Sequence, residues 1–386
     1  MNIALLLPGQ GTRFTEQVKE LWLESPEARG LIETAERQLG YPVSEWLTSD
    51  LSKDTHKAQL ATYVGSMCMY QLYKQQIGLY PSYVLGHSLG ELTALTIAGA
   101  VSYEEGLQLV DIRGKAMKAA IEQQESLGMM AVFAAPEQVE ALAAGWDEVY
   151  AANLNSELQT VISGTRQAIQ EFVKHHQLEG VMLGVNGAFH TPYMKEAAEQ
   201  VYEQLDGLSF STRLQTQVIS NKSAELYDFT NIRGEIAAQM VSPVRWKPSV
   251  DYALSKGVQL FVDLSPNGMF VKMFKSLDGV FAFHSEETIS LLRTELKDDI
   301  EVNRHYDVFS RALGIIVSTK NNGTDAEAYD NIVMSGYNRI KSQIGKEASP
   351  EDIRQTLSLL ELILSTKEVP ADEIAEYCNR LAWKIG

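Results

Sequence analysis

A serine flanked by glycines provides the clearest chemical signal in the chain. The segment GHSLGE, residues 86–91, sets Ser88 between Gly86 and Gly90 directly after the apolar run YVL. This spacing is typical of a nucleophile elbow, a sharp turn from a strand into a helix that presents the serine oxygen. Free N–H groups at the start of that helix would face an anion formed beside the oxygen. The segment therefore predicts a serine nucleophile.

A serine becomes a nucleophile when a nearby base takes its proton, and the chain offers seven histidines. Two of them, His190 and His284, each end an AFH tripeptide. His190 follows a predicted strand and precedes Thr191 and Pro192, a helix-start signal, so it is expected on a loop between elements. His284 is also compatible with a core histidine that hydrogen-bonds to the backbone. We favour His190 as the base and keep His284 as the alternative.

Arg113 lies on the apolar face of a predicted helix. In LQLVDIRGKAMKAA, its neighbours three and four positions away are Leu109, Val110, Ala116 and Met117. A guanidinium in such a place needs a partner. The partner is either an internal Asp or Glu or the carboxylate of a substrate, held by two parallel hydrogen bonds.

The N-terminal segment PGQGTRF, residues 8–14, lacks the spacing and the lysine of a phosphate-binding loop. One interpretation is a tight turn after the first strand. The other is that an amide of Gln10 reaches the elbow from a neighbouring strand.

The composition is that of a folded globular protein, with 45% hydrophobic and 22% charged residues in a chain of 386. The formal net charge of −17 argues against nucleic acid as a partner, because phosphate binding needs a concentrated basic surface. Apolar stretches fall short of the roughly 20 residues that a membrane helix needs, so no membrane partner is expected. The two cysteines, Cys68 and Cys378, suggest neither a disulfide framework nor a metal site. These features predict a cytoplasmic protein.

Strand-like and helical segments alternate in the first part of the chain, as expected of a parallel sheet covered by helices. The strand-like runs are NIALLLP and SYVLG, and the helical stretches lie around residues 15–39, 57–76, 89–99 and 103–124. From Gly128 to Asn186 the order becomes strand, helix, strand, strand, helix, strand, which is that of a ferredoxin-like unit. The run VQLFVDLS then returns to the larger sheet. The sequence therefore predicts an α/β fold whose larger domain is interrupted by a small inserted unit.

The chain turns charged and helical from about Glu287 onward, with polar breaks at KNNGTD (320–325) and KEASPED (346–352). The segment IRQTLSLLELILSTK has apolar residues at helical spacing, which predicts that it packs against another surface. No motif assigns a role to this extension.

Seven segments occur in the order and approximate spacing found in the malonyl-CoA:acyl-carrier-protein transacylases, namely PGQG, GHSLGE, RGKAM, NLNSELQTVISG, AFH, SPVRW and DLSPNG. Over residues 1 to about 285 the chain resembles that family. Together with the element order, the resemblance predicts an α/β-hydrolase-like catalytic domain from 1–126 and 190–286. A ferredoxin-like subdomain is predicted at 127–189 and a helical C-terminal extension at 287–386.

The resemblance implies catalytic roles for five residues. Ser88 is expected to be the acylated nucleophile and His190 its base. A main-chain carbonyl at Gln239 is expected to orient the imidazole, in place of the usual carboxylate. Gln10 and the backbone N–H of Leu89 are expected to form the oxyanion hole.

The resemblance implies further residues that bind the acyl group. Arg113 is expected to bind the malonyl carboxylate and Asn155 to line the pocket. Phe189 is expected to crowd the space that an α-methyl group would occupy. Gly187 departs from the histidine usual at the head of the malonyl-type tetrapeptide, and GQGTRF and SPNGMF also depart from the common family pattern.

The implied function is transfer of a malonyl group from malonyl-CoA to the phosphopantetheine thiol of an acyl carrier protein, through a seryl ester and without a tightly bound cofactor. Two other enzymes fit the same serine and histidine: a hydrolase that clears acyl groups from carrier proteins, and a transacylase for a substituted malonyl unit. A scaffold that binds carrier proteins is the non-enzymatic alternative. Fatty acid and polyketide biosynthesis are the pathways implied.

Overall fold

A computed structural model describes residues 1–124, 126–185, 187–212, 214–305, 308–346 and 348–382. The chain divides into two compact units. The first comprises Met1–Gln76, Pro81–Thr212 and Gln217–Leu292, and the second Ile77–Tyr80, Arg213–Thr216 and Arg293–Gly386.

The described residues contain two sheets. Their strands are β1 (Ile3–Leu7), β2 (Tyr83–Gly86), β3 (Leu127–Val132), β4 (Val149–Ser156), β5 (Gln159–Thr165), β6 (Gly180–Met182), β7 (Gln217–Ile219), β8 (Leu260–Asp263) and β9 (Val280–Ala282). A parallel sheet has the order β7-β2-β1-β8-β9, and a second sheet has the order β4-β5-β3-β6.

Helices surround these sheets in the first unit. They are α1 (Glu16–Leu23), α2 (Pro26–Leu39), α3 (Val43–Trp46), α4 (Thr55–Gln76), α5 (Gly90–Ile97), α6 (Tyr103–Glu122), α7 (Pro136–Ala143), α8 (Arg166–His176), α9 (Lys195–Gln204), α10 (Ile232–Val241), α11 (Trp246–Ser255), α12 (Met269–Met273) and α13 (Glu286–Glu295), whose last residues belong to the second unit. The chain therefore has an α/β fold with a parallel sheet and flanking helices.

The parallel sheet brings four chain segments to one edge. β1 is buried along its whole length and pairs with β2 on one side and β8 on the other, with Leu7 opposite Gly86 and Leu6 opposite Asp263. β7 pairs with the outer side of β2. Because all these strands run in the same direction, the loops that follow them emerge together at their carboxyl ends, where open α/β sheets bind ligands.

The second sheet is antiparallel and consists of β3, β4, β5 and β6. β3 lies between β5 and β6, and β4 pairs with the other side of β5. Helices α7 and α8 bury apolar side chains in a shared core, which includes Val132, Val139, Ile162, Ile169 and Phe172. The predicted order of strands and helices is observed, and Asn186, where the prediction ended, lies outside the described residues.

One predicted helix is two helices. The stretch around residues 15–39 is broken between α1 and α2, where the Ser25 hydroxyl accepts a hydrogen bond from the backbone N–H of Ala28 and Pro26 begins the next helix. Proline at the first helical position fixes a suitable φ without losing a needed N–H, so this pair starts a new helix.

The second unit is helical. Its helices are α14 (Lys297–His305), α15 (Val308–Ser318), α16 (Ala326–Ala328), α17 (Ser335–Lys341), α18 (Pro350–Thr366) and α19 (Ala371–Ala382). Phe309, Ile316, Leu360, Ile363 and Leu364 lie in one buried core. The predicted apolar face of α18 therefore packs within this unit. Among the described residues, no helix is long and apolar enough to cross a membrane.

Candidate active site

The elbow around Ser88 is a turn that its two glycines make possible. A Cβ atom on Gly86 would lie 1.9 Å from the carbonyl carbon of Gly90, and a Cβ on Gly90 would lie 2.5 Å from the carbonyl oxygen of Leu7. Neither position has room for a side chain. Between them Ser88 has a φ of +52°, in the left-handed region that residues with side chains rarely adopt. The strained turn places the serine between β2 and α5.

His190 is the histidine that meets the serine. Its Nε2 lies 2.7 Å from Ser88 Oγ, and its Nδ1 lies 3.0 Å from the main-chain oxygen of Gln239. Because a carbonyl only accepts, Nδ1 bears the proton and Nε2 is left to accept one from the serine. Burial, followed by the nearby charge of Arg113, lowers the pKa of His190 to about 3. The imidazole is therefore neutral at physiological pH, as a base must be.

His284, the alternative base, lies elsewhere in the first unit. Its ring is half-buried beside Gly268, and its Nδ1 has no hydrogen-bond partner within the described part of the chain. Burial lowers the pKa of His284 as well. The histidine that contacts the Ser88 hydroxyl is His190, not His284.

Arg113 is 1% exposed and is held by amides rather than by a carboxylate. Nη1 donates to Gln59 Oε1 at 2.6 Å, and Nη2 donates to Gln239 Oε1 at 3.2 Å. Nε is buried without a hydrogen-bond partner within the described part of the chain, and the nearby charge of Glu91 raises the pKa of Arg113. Burial lowers the pKa of the guanidinium to about 10, so it stays charged at neutral pH.

Gln239 joins the parts of this cluster. Its main-chain oxygen accepts from His190, its Oε1 accepts from Arg113, and its Nε2 donates to the main-chain oxygen of Ser88 at 2.7 Å. One residue of α10 thus contacts the histidine, the arginine and the elbow.

The loop after β1 lies against the elbow. A Cβ on Gly9 would be 2.7 Å from the His87 carbonyl oxygen, so this glycine allows the two backbones to approach closely. Gln10 lines the same cavity as Ser88, with its side-chain amide donating to Thr55 Oγ1. Leu89 precedes the first residue of α5, where a backbone N–H has no helical acceptor. The loop after β1 and the elbow therefore face the same cavity.

A cavity of about 910 Å³ opens onto the serine. Its wall includes Gln10, Ser88, Met117, Asn155, Phe189 and His190. Asn155 comes from β4, and its Oδ1 lies 2.9 Å from His87 Nε2. Arg113 lies on α6 one helical turn before Met117, which belongs to the cavity wall.

Phe189 packs over the glycine two residues before it. A Cβ on Gly187 would lie 2.6 Å from Phe189 Cε1 and 3.0 Å from Ile121 Cγ1. A histidine at position 187 would therefore displace the aromatic ring. The glycine that departs from the family tetrapeptide allows Phe189 its position in the cavity wall.

Sequence reasoning missed two residues, Gln59 on α4 and Asn221 after β7. Asn221 Oδ1 accepts from the backbone N–H of Ser88 at 2.7 Å, and its Nδ2 donates to the carbonyl of Gly86 at 2.7 Å. Its own backbone N–H donates to Glu91 Oε2 at 2.5 Å. Asn221 thereby ties the strained elbow to the neighbouring strand. The adjacency of β2 and β7, which links residues 133 positions apart, was the missing information.

A serine and histidine at a nucleophile elbow, on the carboxyl edge of a parallel sheet, define the class of enzymes that pass acyl groups through a seryl ester. The chain belongs to the acyl transferase domain family, whose sequence profile matches residues 5–307.

Individual relatives support the same family. A malonyl CoA-acyl carrier protein transacylase of Bacillus subtilis is 31% identical, over 96% of this chain and 98% of its own. The polyketide biosynthesis malonyl CoA-acyl carrier protein transacylase BaeC of Bacillus velezensis is 34% identical, over 68% of this chain and 92% of its own. The solved structure of a malonyl CoA-acyl carrier protein transacylase from Clostridium perfringens has a TM-score of 0.72 and 26% identity, and covers 79% of this chain and 100% of its own. The first of these alignments continues into the helical extension, so that relative has a similar segment.

Proposed function

We propose that this enzyme transfers a malonyl group from malonyl-CoA to the phosphopantetheine thiol of an acyl carrier protein. The observation that supports the proposal most directly is the 2.7 Å contact between Ser88 Oγ and His190 Nε2 beside a charged, buried arginine. The relatives named as malonyl CoA-acyl carrier protein transacylases give the same acyl donor and acceptor.

The first half-reaction forms the seryl ester. His190 Nε2 takes the proton of Ser88, whose oxygen attacks the thioester carbonyl. Amide N–H groups of Gln10 and Leu89 stabilise the tetrahedral oxyanion, a contribution typically worth several kcal/mol of barrier. The carbon–sulfur bond then breaks, and the coenzyme A sulfur leaves with the proton from His190.

The second half-reaction reverses these steps with a different thiol. The phosphopantetheine sulfur gives its proton to His190 and attacks the ester carbonyl, and Ser88 leaves with that proton. Throughout, the Gln239 carbonyl keeps the Nδ1 proton in place, so the same tautomer serves both halves. Acyl transfer between thioester and ester needs no redox or metal cofactor.

Three residues define the acyl site in this proposal. Arg113 binds the malonyl carboxylate, Asn155 lines the pocket through its contact with His87, and Phe189 occupies the space beside the α-carbon. Arg113 lies one helical turn before Met117, which lines the cavity, so its guanidinium is placed beside the acyl end of the pocket.

We also propose the domain architecture predicted from the sequence. Residues 1–126 and 190–286 form an α/β-hydrolase-like domain, which the parallel sheet and elbow support. Residues 127–189 form a ferredoxin-like subdomain, supported by an antiparallel sheet with its first strand next to its third and fourth. Residues 287–386 are a helical extension. The proposed location is the cytoplasm, where malonyl-CoA and carrier proteins meet.

The test separates transfer from hydrolysis. The purified enzyme is loaded with malonyl-CoA, freed of excess donor and then divided between holo-carrier protein and buffer alone. Malonyl transfer to the carrier protein, with slow release of malonate in buffer, supports a transferase. Rapid malonate release without transfer supports the hydrolase instead. A substituted malonyl unit stays a second candidate substrate because Gly187 departs from the malonyl-type tetrapeptide.

A further inference from the structure

Arg113 is oriented by two neutral amides. Gln59 on α4 and Gln239 on α10 each direct a side-chain oxygen at the guanidinium, 2.6 Å and 3.2 Å away. All three residues are at most 2% exposed. Buried arginines are ordinarily paired with carboxylates, so the chemistry of these partners needs an explanation.

Each amide is fixed with its oxygen towards the arginine because its nitrogen is occupied on the other side. Gln59 Nε2 contacts Met117 Sδ at 3.3 Å, and Gln239 Nε2 donates to the Ser88 carbonyl at 2.7 Å. An arginine only donates, so both oxygens satisfy its N–H groups. Amide oxygens orient a cation without cancelling its charge.

The remaining acidic neighbour of Arg113 is Glu91. Glu91 is buried on α5, and burial raises the pKa of its carboxyl to about 8. Burial thus favours the neutral form of Glu91, while the Asn221 N–H and the charge of Arg113 lower the pKa of the same carboxyl. Arg113 is charged at neutral pH, its described hydrogen-bond partners are neutral amides, and its Nε has no partner in the described part of the chain.

We infer that Gln59 and Gln239 determine the preference for dicarboxylic acyl groups by holding Arg113 in place while leaving its charge for the substrate carboxylate. This inference rests on the proposed function, in which that carboxylate is the malonyl one. Substitution of Gln59 gives the sharper test, because its described contacts include Arg113 but neither the serine nor the histidine. Gln239 contacts both of those residues as well.

The experiment compares loading from malonyl-CoA and acetyl-CoA in Gln59→Glu. A carboxylate at this position pairs with Arg113 and repels a second carboxylate. We expect kcat/KM for malonyl loading to fall about 100-fold or more, while acetyl loading changes less than about threefold. The matched control is Gln71→Glu, which adds the same charge to the partly exposed side of α4 and is expected to change neither rate.

A parallel loss of malonyl and acetyl loading in folded Gln59→Glu would overturn the inference, because it would make Gln59 a general structural residue. Unchanged loading from both donors would overturn it too. If this variant does not fold, Gln59→Met serves in its place. It keeps the length and the neutrality but removes the acceptor, and the malonyl preference should fall by roughly threefold to tenfold. An unchanged preference in Gln59→Met would contradict the inference.

Failure of the proposed function is visible separately. If the wild-type enzyme forms no malonyl ester, the proposed function is wrong whatever the variants do. If the wild type loads malonyl and Arg113→Ala selectively loses it, only the role of the amides is in question.

Discussion

Two buried cations, Arg113 in the first unit and Lys367 in the second, are partnered in different ways. Lys367 is 3% exposed, and its Nζ donates to the carbonyls of Ile316 and Thr319 and to the Thr319 hydroxyl. These oxygens lie at the end of α15, where helix dipoles favour a positive charge. All three ammonium protons of Lys367 therefore have acceptors. Arg113 instead has two amide oxygens for five N–H groups and an Nε without a partner.

The difference separates a cation whose donors all have acceptors from one that has a donor left over. A buried charge whose donors are all satisfied stabilises the fold and has nothing left to bind. A buried charge with a free donor costs stability unless something else binds it. The comparison predicts that removing Lys367 harms stability, whereas removing Arg113 harms malonyl binding.

The largest losses of loading are expected when the nucleophile or its base is removed. Ser88→Ala should abolish the covalent malonyl adduct, because the attacking oxygen is gone. His190→Ala should slow loading by about 10³-fold, within the range typical for loss of a general base. Loading is followed by intact-protein mass at timed intervals. His284→Ala is the matched control and should load at nearly the normal rate; a greater loss in this variant than in His190→Ala would refute the choice of base.

The next effect tests the arginine. Arg113→Ala should lower malonyl loading by about 10²-fold, because two charge-assisted hydrogen bonds to the carboxylate are lost. Acetyl loading should change little, and the melting temperature should fall only modestly, because removing a buried charge offsets the loss of the donor to Gln59 and Gln239. Loading kinetics and calorimetry on the same preparations measure both. An internal structural role for Arg113 would show itself as a lower melting temperature with equal loss from both donors.

A smaller effect concerns the α-carbon of the acyl group. Phe189 lies in the cavity wall over Gly187, so the wild type should prefer malonyl-CoA to methylmalonyl-CoA by roughly tenfold to a few hundredfold. Phe189→Ala should reduce that preference by removing the ring. Competitive loading from an equimolar mixture measures it. A wild-type preference for methylmalonyl-CoA would contradict the steric argument.

The pH dependence links Arg113 to the base. The pKa of His190 is lowered from 6.5 to about 3, first by burial and then by the charge of Arg113. Acetyl loading should therefore persist well below pH 6.5, and the acid limb of its profile should move upward in Arg113→Ala. Between pH 6.5 and 3, the His190 imidazole binds a proton in the unfolded chain but not in the folded enzyme. The free energy of unfolding should therefore fall as the pH drops from 6.5 towards 3. An acid limb near pH 6.5 in the acetyl-loading profile of the wild type would contradict the lowered pKa of His190.

The smallest effect on catalysis is expected at the other cation. Lys367→Met leaves the Thr319 carbonyl without its Lys367 donor, at a cost of about 1–3 kcal/mol for a buried unsatisfied group, while the Ile316 carbonyl still accepts from the Thr319 hydroxyl. The unfolding midpoint of the variant should fall, while malonyl loading stays within about twofold of the wild type. Denaturant unfolding and loading assays test both statements. A tenfold loss of loading at unchanged stability would remove the contrast with Arg113.

The sequence predicted those parts of the site that local patterns specify. Glycine spacing and a strand-to-helix transition indicated Ser88, and a helix-start signal favoured His190 over His284. The sequence could not indicate Gln59 or Asn221, because their contacts join residues 54 and 133 positions apart. A single amide side chain in a helix or loop also has no characteristic spacing. The element order of the antiparallel sheet was predictable for the same local reasons, as were the strands β1, β2 and β8 of the parallel sheet. The inclusion of Ile77–Tyr80 in the second unit was not, because it depends on tertiary packing.

The central claim is that the charge of Arg113 is reserved for the carboxylate of the acyl group. The most direct test offers an equimolar mixture of malonyl-CoA and acetyl-CoA to the wild type and to Arg113→Ala, and reads the ratio of the two seryl esters by intact-protein mass. We predict mostly malonyl ester on the wild type and mostly acetyl ester on the variant. The same ratio on both proteins would contradict the claim.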